Sequence, residues 1–358
     1  MKKHLLASTA LIAGSLLAVS AQAGDAEFYG QVNKSLSWID NGSDERIEVG
    51  DNEMSSTRFG FRGEQEIGNG LTASFLMEFE TDDADNTRNM DVGTTDAAST
   101  TGTSITERHA RVGLAGGFGS VFLGRTSSAT DGITEIDLGS VSDLMGSDVT
   151  AIGGDVTDAN NGEFFAGHYS NLEGFDDQDD DRVNLVRYDS PIYNGFQASV
   201  AVANGGDADL AVRYGAKFGA TEVKAGIGYA NFNQNSALPG SNFHVDQWSG
   251  SVSAKHDSGL NGTFAYGERD TDGSAIDTQF MYAKVGYDMG NWGFAVDYAN
   301  GEELNAVDEE ADAYGIGAQY NFGNGVSAGV VYREMEFDTA ATDNEDVSVA
   351  TANLRVKF

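Results

Sequence analysis

Few residues in this chain have the type and spacing that covalent chemistry needs. Apart from His4, the histidines are His109, His168, His244 and His256, each isolated in sequence. None stands at metal-ligand spacing from another, no Gly-x-Ser-x-Gly elbow exposes a nucleophile, and cysteine is absent. Asp270-Thr271-Asp272-Gly273 misses the calcium-loop register, which needs further ligands before its glycine and a Glu after it. The expectation is no enzyme, no cofactor and no resident metal. Charge is what the chain has in quantity. Lys plus Arg number 21 against 56 Asp plus Glu, a formal net charge of −35. Carboxylates cluster in Asp176-Asp177-Gln178-Asp179-Asp180-Asp181, Asp308-Glu309-Glu310 and Asp343-Asn344-Glu345-Asp346. Such runs repel nucleic acid, which is bound through Lys and Arg on phosphate, and they concentrate cations within a Debye length of roughly 8 Å at 0.15 M salt.

The basic residues follow a rule that points to the elements carrying them. After Gly24 the dominant sequence period is two. Leu71, Ala73, Phe75, Met77 and Phe79 share one face, with Thr72, Ser74, Glu78 and Glu80 on the other. Trp292, Phe294, Val296 and Tyr298 repeat the pattern, as do Tyr314, Ile316, Ala318, Tyr320 and Phe322. This is the alternation of a strand with one apolar and one wet face. Arg58, Arg62, Arg111, Arg213, Lys217, Lys224, Lys255, Lys284, Arg333, Arg355 and Lys357 all fall on the wet face by parity, among Gly, Ser, Asn and Gln neighbours. Lys34 and Arg187 break the rule. The apolar face often ends in Tyr, Phe or Trp, as in the aromatic girdles of a membrane barrel.

Composition excludes two other classes. Glycine occurs 46 times, but two prolines and no strict glycine period rule out a collagen helix. The 13 Tyr, 20 Phe and 3 Trp rule out a disordered acidic chain. Lys2 and Lys3, an apolar stretch from Leu5 to Val19 and Ala21-Gln22-Ala23 read as a cleaved signal peptide over residues 1–23. The mature chain, 24–358, then carries 19 − 56 = −37 charges. No other apolar run is long enough to span a bilayer as a helix, so a membrane role must use strands.

Tight turns are expected at Gly68-Asn69-Gly70, Gly116 to Gly119, Pro191 to Gly195, Gly219 to Thr221, Asp257 to Asn261, Gly290-Asn291 and Gly323-Asn324-Gly325. Between them lie longer polar segments near 40–53, 82–105, 126–181, 203–208, 231–246, 267–276, 300–312 and 337–346. Seven turns and eight loops make fifteen connections and hence sixteen strands. The expected fold is all-β, a single sixteen-stranded antiparallel transmembrane barrel.

Several segments carry a family resemblance. Glu27-Phe28-Tyr29-Gly30-Gln31-Val32 resembles the first strand of the trimeric general diffusion porins of Gram-negative bacteria, and Arg58-Phe59-Gly60-Phe61-Arg62-Gly63-Glu64 resembles their second. Arg111-Val112-Gly113-Leu114-Ala115-Gly116 is similar to their fourth strand. Gly119 to Arg125 looks like the strand leading into their long third loop, and Val186 to Pro191 like the strand after it. The chain ends Leu354-Arg355-Val356-Lys357-Phe358, which looks like the outer-membrane assembly signal with its terminal aromatic.

The resemblance implies a homotrimer in the outer membrane, each subunit a water-filled pore for ions and small hydrophilic solutes, in contact with outer-membrane lipid and lipopolysaccharide. It implies that the third loop, 126–181, folds into the lumen and narrows it. Arg58, Arg62, Arg111 and Arg125 are then the basic wall of the constriction, and Asp131, Glu135, Asp137 and Asp143 the carboxylates available to face it. Facing rows of opposite charge orient dipolar solutes and set ion preference. The net charge favours cations, and acidic loops could share divalent ions with lipopolysaccharide phosphates. A saccharide-selective porin of eighteen strands is the nearest alternative, and an outer-membrane hydrolase or a secreted acidic adhesin are more distant ones.

Overall fold

The computed structural model describes residues 26–82, 86–88, 90, 103–156, 182–235, 242–303, 309–338 and 346–358. The expected signal peptide and most of the acidic runs lie outside them. Seventeen strand segments form one antiparallel sheet. They are β1 (Ala26–Asp40), β2 (Glu45–Asp51), β3 (Arg58–Gly68), β4 (Leu71–Asp82), β5 (Ser104–Gly116) and β6 (Gly119–Ser127). There follow β7 (Arg182–Asp189), β8 (Phe196–Ala203), β9 (Ala208–Phe218), β10 (Thr221–Asn235), β11 (Asn242–His256) and β12 (Leu260–Thr271). The last are β13 (Asp277–Met289), β14 (Trp292–Glu302), β15 (Glu310–Gly323), β16 (Val326–Asp338) and β17 (Val347–Lys357).

β2 and β3 both pair with β1, over Lys34↔Asp51 to Asp40↔Glu45 and over Ala26↔Gly63 to Gln31↔Arg58. They are two halves of one strand broken at residues 52–57, so the segments make 17 − 1 = 16 barrel strands. The other edge of β1 pairs with β17 from Gln31↔Lys357 to Asp40↔Ser348, and this closes the ring. Gly30 and Phe358 exchange both backbone hydrogen bonds at 3.0 Å, and the Phe28 and Phe358 rings lie 5.6 Å apart across the seam. The tight turns fall where the glycines and asparagines require them. Asn69 and Asn324 hold φ of 55° and 52°, which a β-branched residue would resist. Several loops are shorter than expected. Half of 40–53 is the strand β2, because Ile47 and Val49 alternate with Arg46 and Glu48 and continue the sheet, and β10, β11 and β12 run into 231–246 and 267–276.

Burial is inverted relative to a soluble sandwich. Ile316, Val330 and Leu354 are more than half exposed, whereas Arg333, Gln247 and Lys284 are buried. Apolar side chains therefore cover the outside and polar ones line the interior, which suits a wall between hydrocarbon and water. Tyrosines mark one rim of the apolar band, and their hydroxyls donate to outward carboxylates: Tyr298 to Asp312 at 2.6 Å and Tyr332 to Glu334 at 3.1 Å.

The interior is filled from one side. The segment after β6 runs along the inner faces of β9 to β17 and buries Ile133, Val141, Leu144, Met145, Val149 and Ile152 against them. Two inward glycines make room for it. A Cβ at Gly226 would stand 2.5 Å from Ile133 Cδ1, and one at Gly317 2.5 Å from Met145 Sδ. At those distances an added Cβ would displace the Ile133 and Met145 side chains from their seats on the wall.

Candidate pore constriction

The wall that remains open is β3 to β7, where the arginines stand. Alternation sends Phe59 and Phe61 outward and Arg58, Gly60 and Arg62 inward, and register sets Gly60 opposite both Tyr29 and Glu78. Arg58 lies 4.0 Å from Glu78. Arg62 bonds Glu27 at 2.8 Å, and its guanidinium lies 4.7 Å from the centre of the Tyr29 ring. Arg111 rests 4.1 Å above the Phe122 ring and has no carboxylate at ion-pair distance among the described residues.

A side chain that parity hides joins them. Glu78 pairs with His109 and Phe79 with Glu107, so Arg108 is the extra residue of a β-bulge. The bulge turns Arg108 inward, where it bonds Glu78 at 2.9 Å and also Glu80. Glu78 also accepts from the Tyr29 hydroxyl at 2.8 Å. Strict alternation assigns Arg108 to the lipid face, so period counting alone could not find it. The two register breaks in the sequence rule resolve differently. Arg187 is inward after all, bonded to Asp189 at 2.8 Å and to the Ser128 carbonyl at 2.8 Å. Its face looked apolar because Leu185 is buried there against the inserted segment. Lys34 does face outward and reaches Asp51 at the strand break, 3.5 Å away.

Arg125 corrects an expectation. It sits between Ala110 and Asn184, on the outward face with Val121 and Leu123, and its Nε donates to the Glu107 carbonyl at 2.9 Å. Position 125 is odd where the inward positions Phe122, Gly124 and Thr126 are even, so the barrel turns it away from the lumen.

The carboxylates of the inserted segment divide in the same way. Asp137 is bound to Lys284, accepts from Thr263 at 3.0 Å and is turned into the wall. Asp143 is bound to Arg355. Burial pushes the Asp143 carboxyl up, but the hydrogen bond and charge of Arg355 outweigh it and leave the pKa below the usual carboxylate range. These two are anchors of the segment, which corrects their expected place opposite the arginines. Asp131 is fixed by its backbone, whose carbonyl accepts from Arg213 at 2.7 Å, and Glu135 is exposed. Asp209, Ser251 and Ser253 complete the attachment by bonding backbone groups of Thr130, Ile133 and Leu138 at 2.6–3.0 Å. No ion pair joins the arginine wall to any of the four segment carboxylates among the described residues. Its partners are strand residues: Glu27, Glu78, Glu80 and Asp189.

The family model described as Gram-negative porin matches residues 7–340. The chain belongs to that family. Among porins of known sequence, it is 29% identical over 209 residues to outer membrane porin protein 32 of Delftia acidovorans, a match covering 57% of this chain and 50% of that protein. It is 27% identical over 354 residues to the monosaccharide porin of a Halomonas species, covering 91% of this chain and 77% of the other. Among solved porins, the anion-selective porin from Comamonas acidovorans superposes with a TM-score of 0.65 at 20% identity, covering 93% of this chain and 99% of the other. OmpT of Vibrio cholerae in its trimer form superposes with a TM-score of 0.59 at 16% identity, covering 94% and 100%. Membership of the family puts the protein in the Gram-negative outer membrane.

Proposed function

We propose that this porin is a water-filled channel for passive diffusion of ions and small hydrophilic solutes. Its narrowest section lies between the arginine wall of β3 to β7 and the segment 126–156. One observation carries the reading: a long connection is bonded to the inner faces of β9 to β17, which among the described residues leaves the side of the lumen lined by Arg58, Arg108, Arg111 and Arg187. In water at such a wall, charge filters solutes without trapping them.

The preference is for cations. Among the described residues, Glu27, Glu78, Glu80 and Asp189 offset much of the charge of Arg58, Arg62, Arg108 and Arg187 on the wall. The large acidic excess of the mature chain then sets the potential at the mouths. A planar-bilayer reversal potential in a low-salt KCl gradient tests this. Chloride preference, the property in the name of the Comamonas relative, would overturn the cation reading and leave the channel standing.

The functional unit is a homotrimer, as OmpT is in the form named above, and an unheated detergent gel with a band at three times the monomer mass is the expected outcome. The outward carboxylates beside the tyrosine rim lie where lipopolysaccharide phosphates could share divalent cations with them. Among the described residues one His–Ser contact is the arrangement nearest to a catalytic pair. His256 Nδ1 does contact Ser258 Oγ at 2.9 Å, but in an exposed turn where it also accepts from the Ser258 N–H. A second reading, saccharide uptake, is favoured by the Halomonas relative's name. Its eighteen-strand form does not fit a sixteen-strand ring. Liposome swelling that is faster with monosaccharides than with other neutral solutes of the same size would support it.

A further inference from the structure

Among the described residues, ion pairs anchor the inserted segment at Asp137, Asp143 and Asp148, and the partner of the last does not come from the wall. Lys284 of β13 holds Asp137 and Arg355 of β17 holds Asp143, but Asp148 is held by Arg88, which belongs to the connection between β4 and β5. The Arg88 guanidinium bonds Asp148 at 2.9 Å and Thr150 Oγ1 at 2.8 Å. Backbone bonds reinforce the contact: Gly153 N–H to the Thr87 carbonyl at 2.7 Å and Asp155 N–H to the Arg88 carbonyl at 3.0 Å. Thr87 Oγ1 donates to the Ala151 carbonyl at 2.7 Å and accepts from the Glu53 N–H at 3.0 Å. Met90, two residues on, is buried with Ile39, Met335 and Val349 from the inner faces of β1, β16 and β17, and with Val149 and Ile152 of the inserted segment.

We infer that the β4–β5 connection is a second luminal element, and that Arg88 is a positioning residue that sets where the last third of the constriction segment lies. This rests on the channel reading above. The wall anchors fix the segment near 137 and 143, whereas over 148–156 hydrogen bonds and an ion pair run to residues 86–90, and Val149 and Ile152 pack with apolar residues of the barrel. Apolar contacts allow sliding, whereas a bidentate, partly buried guanidinium with parallel backbone bonds fixes one register. Two connections thus define the bore, and a change in the one between β4 and β5 is transmitted to the constriction without touching the arginine wall.

The test compares purified wild type with Arg88→Ala in planar bilayers, with folding checked by heat-modifiable migration on gels. Higher single-channel conductance with more open-channel noise is expected. Arg88→Lys should fall between the two. Adding Thr87→Cys and Ala151→Cys to Arg88→Ala gives a cysteine-free chain its only disulfide; oxidation should return conductance to the wild-type value and reduction should release it again. Should Arg88→Ala fail to reach the folded band, Asp148→Asn removes the same ion pair with little change of shape and carries the comparison. Conductance, noise and selectivity equal to wild type in a folded variant would overturn the inference. A wild type that does not conduct would instead sink the channel reading.

Discussion

At the scale of single residues, two arginines of this porin separate wall from surface. Arg111 is inward, stacked on Phe122 and without a carboxylate at ion-pair distance among the described residues, so no ion pair there screens its charge from the lumen. Arg111→Gln is expected to increase cation selectivity, read as a larger reversal potential, and to leave heat stability nearly unchanged. Arg125 has the same charge on the outer face, held to a backbone carbonyl. Arg125→Gln should leave conductance and selectivity at wild-type values. Equal effects from the two substitutions would mean that the inside–outside assignment of β5 and β6 is wrong. Arg108 lies between these cases, because Glu78 and Glu80 both neutralise it. Removing it exposes two carboxylates as well as deleting one cation.

At the scale of elements, the inserted segment is governed by groups that titrate in opposite senses. Asp143 has a lowered pKa, so its bond to Arg355 stabilises the folded segment above the ordinary carboxylate range and is lost as pH falls through that lowered value. Asp155 is raised above its ordinary 3.8, first by burial and then by Asp148, against the opposing pull of Arg88. A raised carboxyl binds its proton more tightly folded than unfolded. Its favourable contribution is therefore complete in acid and is lost as pH climbs through the raised pKa. Hydrogen exchange should find residues 148–156 better protected at mildly acidic pH than at pH 8, and Asp155→Asn should flatten that difference. Protection near residue 143 should change only in stronger acid. Lys284 is the more severe case, since it is fully buried on Asp137 and the Met145 carbonyl. Breaking such a buried pair from one side costs about 3–5 kcal/mol. Lys284→Ala is thus expected to release the segment from β13 and raise conductance, while the barrel itself still closes.

At the scale of the whole molecule, Phe358 extends the seam that closes the ring. Phe358 completes the β1 ladder through Gly30 and packs on Phe28, and a Cβ at Gly30 would stand 2.8 Å from its ring. Deleting Phe358 removes two seam hydrogen bonds and an aromatic contact together. The fraction of heat-modifiable, folded protein should fall sharply, and Phe358→Tyr should restore it. Cation preference is also a whole-molecule property, since it arises from summed charge at the mouths. It should shrink as ionic strength rises and the Debye length contracts from about 10 Å at 0.1 M to about 3 Å at 1 M.

The sequence by itself determined the barrel. A two-residue period can bury apolar residues on one side only, and charges at alternate positions then require water on the other. Glycine and asparagine mark the turns because few other residues accept a positive φ. The inward direction of Arg58, Arg62 and Arg111 was legible for the same reason, because each alternates with outward apolar neighbours along its strand. What the tertiary structure decided lies where counting fails. A one-residue bulge brought Arg108 inward, the parity of β6 took Arg125 out, and the buried face of β7 made Arg187 look misplaced. The partners of Asp137 and Asp143 are more than a hundred residues away, and pairing across that separation has no local signature. The joining of residues 86–90 to 148–156 has none either: it exists only because a closed ring brings two distant connections into one confined space.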